Sequence, residues 1–129
     1  MSMTEPLDIQ AFARGMNELL VLAALRSGPR HGYQIALELE RRSGGLFSLQ
    51  HGTLYPILHR LERGGLIAGE WSRRGGRRRK VYALTSPGRA HLETEAARCD
   101  EVFRGLLSLV EKESDEPVRG KAPGRRRGA

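Results

Sequence analysis

A chain of 129 residues with 39% hydrophobic content supports one small domain with a modest core. Lys and Arg total 22 against 15 Asp and Glu, a net charge of +7 that suits an anionic partner. One cysteine excludes an internal disulfide framework, and the longest apolar run, Leu19–Leu25, is too short for a membrane-spanning helix, which needs about 20 residues.

Residues 1–10 read as loosely ordered. Met1 to Pro6 has neither the basic nor the apolar stretch of an export signal, so a soluble, cytoplasmic protein is expected. A first helix is predicted from about Ala11 to Arg26, with Phe12, Met16, Leu19, Leu20, Ala23 and Leu22 inward. Ser27-Gly28-Pro29 stops it, because proline cannot continue the hydrogen-bond ladder. A second helix spans about His31 to Arg42, burying Ile35, Ala36 and Leu39, and Gly44-Gly45 ends it. His31 caps this helix or packs under it. Leu46–Leu49 reads as a short extended segment able to pair with later strands.

The third helix begins between Gln50 and Thr53 and runs to Arg63, closed by Gly64-Gly65. Leu54, Ile57, Leu58 and Leu61 fall at i, i+3, i+4 and i+7, one buried face. Thr53, Tyr55, His59, Arg60 and Arg63 form the other face, without a bulky aliphatic among them. Pro56 is expected in or near the first turn, where its missing N–H matters least.

A hairpin follows, with strands over Leu66–Ser72 and Lys80–Thr85 and a loop over Arg73–Arg79. Gly75-Gly76 supplies the turn. Arg73, Arg74, Arg77, Arg78, Arg79 and Lys80 crowd six cations into eight residues, an arrangement that is stable when solvated or when facing anions. After a helix with a polar outer face, this loop reads as a phosphate-contacting wing. Leu54, Ile57, Leu58, Leu61, Trp71, Tyr82 and Leu84 are assigned to structure rather than to the site.

Thr85-Ser86-Pro87 reads as a helix start, a hydroxyl cap followed by proline. In the last helix, to about Glu113, Leu92, Ala96, Cys99, Phe103, Leu106 and Val110 recur at alternating steps of four and three, the seam of a coiled coil. With Phe12 and Met16 they are the candidate dimerisation residues. The domain plan is therefore 11–86 for DNA binding, 87–113 for dimerisation and 114–129 as a disordered basic tail.

Three stretches resemble the PadR-type transcriptional regulators. They are Leu19–Leu25 with His31-Gly32-Tyr33-Gln34-Ile35, then Gly52-Thr53-Leu54-Tyr55-Pro56 through Gly65-Leu66-Ile67, and Gly76–Tyr82 with Leu84-Thr85. The resemblance implies a mainly α fold with a small β-hairpin, a winged helix-turn-helix plus a C-terminal dimerisation helix. It also implies a homodimer on operator DNA, usually a repressor. Some such relatives bind planar drugs through a tryptophan on the last helix; here the single tryptophan is Trp71, on the first wing strand.

The candidate DNA-contacting residues are Tyr33, Gln34, Gln50, His51, Thr53, Tyr55, His59, Arg60 and Arg63, with the six wing cations. Those nearest the start of the third helix are expected to reach base edges, Gln50 suiting adenine. Tyr55 serves a phosphate, a thymine methyl or partial core packing. Arg60 and Arg63 suit phosphates. Tyr33 and Gln34 open the second helix, where a phosphate contact fits. No catalytic set, metal site or cofactor is expected: His31, His51, His59 and His91 lack Asp or Cys neighbours at ligand spacing, and Cys99 falls on the apolar seam. The expected partners are operator DNA, a second copy and an unidentified small-molecule effector. The alternative is a winged-helix RNA- or protein-interaction module without operator specificity.

Overall fold

The computed structural model describes residues 5–111. The expected basic tail lies outside them. Helix α1 covers Ile9–Ala24, strand β1 Arg30–His31, α2 Gly32–Arg42 and α3 His51–Arg63. Strand β2 (Ile67–Ser72), a 3-10 turn at Arg74–Gly76 and strand β3 (Arg79–Leu84) make the hairpin, and α4 covers Ser86–Val110. The fold is α+β, as expected.

Local chemistry explains the helix starts. Asp8 caps α1 by accepting from the Ala11 amide at 3.1 Å. This places the start two residues before the expected Ala11. His31 and Gln34 cap α2 reciprocally, each side chain accepting from the other's backbone N–H at 3.4 and 3.1 Å. Thr85 Oγ1 accepts from the Gly88 amide at 3.0 Å and donates to the Gly65 carbonyl at 2.7 Å, joining the start of α4 to the end of α3. Pro56 lies in the second turn of α3 rather than the first, because the helix already begins at His51. The carbonyl it leaves unpaired belongs to Gly52, an exposed residue, where the lost bond costs least.

The sheet has the order β1-β3-β2, all antiparallel. In the hairpin Ile67 pairs with Leu84, Gly69 with Tyr82 and Trp71 with Lys80. The third strand corrects the sequence expectation. Arg30 and His31 pair with Tyr82 and Val81, whereas Leu46–Leu49 joins no strand. Pairing holds the start of α2 against the wing, a placement Leu46–Leu49 could not give.

The chain divides into two compact units after Glu95. In the first, Val21, Leu22, Ala24, Leu25, Ile35 and Leu39 pack with Leu54, Ile57, Leu58 and Leu61 of α3, with Ile67, Tyr82 and Leu92 completing the core. Leu19, Leu20 and Ala23, expected inward, pack at its margin. Leu92, expected on the dimerisation seam, is 2% exposed and belongs to this core, so the first turns of α4 serve the winged unit. Glu38 is buried on α2 among Arg30, Arg41 and Arg42, at 3.5, 3.0 and 3.7 Å. The Arg41 hydrogen bond, then the charges of Arg30 and Arg42, hold its carboxyl below the usual range despite burial. In the second unit Leu106, Leu107, Leu109 and Val110 are exposed, Leu109 to 84%.

Gly88 marks the tightest approach. A Cβ there would overlap the Leu66 backbone carbonyl, a neighbour that no rotamer change can move. Gly88→Ala is expected to destabilise the first unit by about 3 kcal/mol. Urea unfolding checks this; an unchanged midpoint would show that α4 does not dock on Leu66.

Candidate nucleic-acid interface

Burial of Leu54, Ile57, Leu58 and Leu61 sets the rotation of α3 about its axis. The same rotation turns Thr53, Tyr55, His59, Arg60 and Arg63 to solvent. Tyr55 leans back so that its hydroxyl occupies the space a side chain would need at Gly32, the first residue of α2. A run of rings follows across the helix starts. His31 stacks on Tyr33 at 6.5 Å, Tyr33 meets His51 edge-on at 6.3 Å, and His51 meets Tyr55 at 5.8 Å.

The hairpin supplies the opposite wall. Gly75 and Gly76 take φ of 70° and 79°, which side-chain-bearing residues rarely adopt, and so permit the reversal. Lys80 Nζ donates to Glu62 Oε1 of α3 at 2.9 Å and lies 5.5 Å from the Tyr82 ring centroid. That hydrogen bond raises the Lys80 pKa above its usual value. Gly69 leaves the room that Lys80, Tyr82 and Glu62 fill. Arg79 Nη1 lies 2.7 Å from His31 Nε2, and the Arg78 guanidinium lies 4.3 Å from the Trp71 ring centroid.

Between these walls runs an open groove of about 670 Å³, lined by His31, Gly32, Tyr33, Tyr55, His59, Trp71, Arg77, Arg78, Arg79, Lys80 and Tyr82. Aromatic faces and cations line it, with no acidic residue among them, a lining chemically suited to an anionic strand. Among the described residues no group of three or more His, Cys, Asp or Glu could hold a metal ion. No described helix is long and apolar enough to cross a membrane.

Residues 21–94 match the transcriptional regulator PadR-like family. The chain belongs to the PadR-like family. Its relatives include the transcriptional regulator Rv3488 of Mycobacterium tuberculosis, 35% identical over 77% of this chain and 90% of that one. Among solved structures, a PadR family transcriptional regulator from Eggerthella lenta has a TM-score of 0.67 at 32% identity, covering 81% of this chain and 90% of that one. Another, from Clostridium difficile, has a TM-score of 0.64 at 29% identity, covering 73% and 97%. PadR-like proteins are transcriptional regulators, which implies regulation through DNA binding, and the family is not one of enzymes.

Against this PadR-like frame, the predicted residues separate. Tyr33, Tyr55, His59, Arg77, Arg78, Arg79 and Lys80 meet in the groove. Gln50 caps α3 without a side-chain hydrogen bond, and Thr53, Arg63, Arg73 and Arg74 are exposed outside the groove lining. Gln34 spends its carbonyl oxygen on the α2 cap. Arg60 is paired with Glu18 of α1 at 3.0 Å, so it braces two helices. Three groove residues were assigned elsewhere by sequence reasoning: His31 to the helix cap, Trp71 and Tyr82 to structure. Tyr82 is indeed buried, but its edge reaches the groove. Trp71 is 57% exposed and is not core. The signal was strand alternation: Ile67, Gly69 and Trp71 share one face, which leaves the core before Trp71 is reached.

His31 links the cap of α2 to the wing. Its two ring nitrogens face the Gln34 amide and the Arg79 guanidinium, both donors. A neutral imidazole has one acceptor nitrogen and a protonated one has none. Burial, then the Arg79 charge, lowers its pKa below the ordinary 6.5. A depressed folded pKa means that His31 contributes its full stability above that ordinary value and loses it as pH falls through the folded value. His31→Asn keeps a good cap without a titrating group. It is expected to flatten the fall in urea midpoint of the wild type between about pH 7 and pH 5; equal slopes in the two proteins would remove His31 as the cause.

Proposed function

We propose that this PadR-like protein is a homodimeric repressor that lays α3 and the arginine wing of each copy on an inverted-repeat operator. The observation that carries this is the shared groove: the polar face of α3 and the cationic hairpin border the same channel. Gln50, His51, Thr53 and Tyr55, nearest the start of α3, are the base-reading candidates. Arg63 and the arginines of the wing contact phosphates. Tyr33 adds a backbone contact at the start of α2.

Self-association rests on the second unit. A helix that exposes Leu106, Leu107, Leu109 and Val110 to water gains by covering them, and a second copy presents the same surface. Ala96, Cys99 and Phe103 continue the proposed seam along α4; Ala96 and Cys99 are half-buried and Phe103 is 39% exposed. Phe12 and Met16 of α1 are separate candidates for self-association. Two recognition helices would then stand about 34 Å apart, one turn of duplex. Repression follows if the operator overlaps a promoter in the cytoplasm.

Binding to duplexes from the DNA upstream of its own gene tests the reading. A palindromic site should be preferred over random duplex by about 10³-fold or more. Affinity should fall on the order of 10³–10⁵-fold between 50 and 200 mM salt, as for six to ten neutralised phosphates. Sedimentation should give a dimer. Equal binding to any duplex or RNA would instead identify a module without operator specificity, and a flat salt response would remove the wing from the interface.

A further inference from the structure

The wing carries six cations, and the structure treats them differently. Lys80 is committed to Glu62 and Arg79 to His31. Among the described residues, Arg73, Arg74 and Arg77 have no side-chain hydrogen bond or ion pair, so nothing there holds their direction. Arg78 is the exception. It is held, yet its N–H donors are not spent.

The reason lies in how a guanidinium stacks. Attraction to an aromatic ring uses the flat face of the cation, whereas its hydrogen bonds leave through the edge. With its carbon 4.3 Å from the Trp71 centroid, the Arg78 guanidinium has room to lie flat on the indole, an arrangement that consumes no donor. The indole is available for this because β2 runs beyond the core and leaves Trp71 57% exposed. The register brings the two together: Trp71 pairs with Lys80, and Arg78 sits two residues before Lys80. Both side chains line the groove.

We propose that Trp71 is a positioning residue for nucleic-acid binding, its indole holding the Arg78 guanidinium edge-out toward a duplex phosphate. A fork already oriented loses less freedom on binding than a free arginine. This inference rests on the DNA-binding reading above and assigns Trp71 a task beyond it.

The test compares wild type, Trp71→Ala, Trp71→Phe, Arg78→Ala and the double alanine variant, by anisotropy of a labelled duplex across a salt series. Trp71→Ala should weaken binding roughly three- to tenfold, of the order expected for one lost cation–π contact. It should also lower the salt slope by about 1, as Arg78→Ala does. The double variant should bind no more weakly than Arg78→Ala alone, because one contact is lost in both. Trp71→Phe keeps a ring face and a strong strand former, so it should retain most of the affinity. Emission from Trp71, the only tryptophan, should change when duplex is added to wild type. Alanine losses that add in the double variant, or a Trp71→Ala protein with wild-type affinity and slope, would overturn the assignment while leaving DNA binding intact. A wild type that ignores duplex at about 50 mM salt would sink both readings.

Discussion

Four apolar side chains on one face of α3 control what the rest of the molecule can present. Leu54, Ile57, Leu58 and Leu61 are buried, and each contributes about 1.5–3 kcal/mol by leaving water. No single surface contact made by the outer face competes with that sum, since exposed ion pairs such as Arg60–Glu18 contribute roughly 0–1 kcal/mol. The helix can therefore rotate only at the cost of its core. Rotation by one residue would replace Tyr55 or His59 at the groove with a leucine. The outward face of α3 is thus held by the hydrophobic effect, acting on residues buried beneath it.

The wing needs a different kind of support, because like charges repel and a two-stranded ribbon has little core of its own. Support comes at its base. Lys80 meets Glu62, Arg79 meets His31, and β1 adds a third strand beside β3. The two side-chain contacts tie the hairpin to different helices: Glu62 lies in α3, and His31 caps α2. Glu62 neutralises Lys80 at the base, while the tip, Arg73, Arg74 and Arg77, stays exposed and cationic. A fixed base with an exposed cationic tip is an arrangement suited to salt-sensitive attraction toward an anion.

His31 joins both systems. It caps α2, stacks on Tyr33 and faces Arg79 across the strand pairing that β1 makes with β3. Glu38 does similar work deeper in the fold, drawing Arg30, Arg41 and Arg42 together, while Arg30 Nη1 also donates to the Ala24 carbonyl at 2.9 Å, in the last turn of α1. These polar contacts are directional. The apolar core sets how elements pack; they set where the chain enters and leaves each helix.

Sequence alone determined the helices, the hairpin and the family. Those follow from periodicity and turn chemistry, which act between residues a few positions apart: the spacing of Leu54 to Leu61, the Thr85 cap, and the Gly75-Gly76 reversal. Tertiary structure decided which segment became the third strand, that Leu92 serves the chain's own core, that Arg60 braces α1, and that Trp71 stands at the groove. Each depends on a partner distant in sequence. Arg30 finds Tyr82, Arg60 finds Glu18 and Trp71 comes to line one groove with Tyr33, and no local pattern marks which segments the closing chain will bring together.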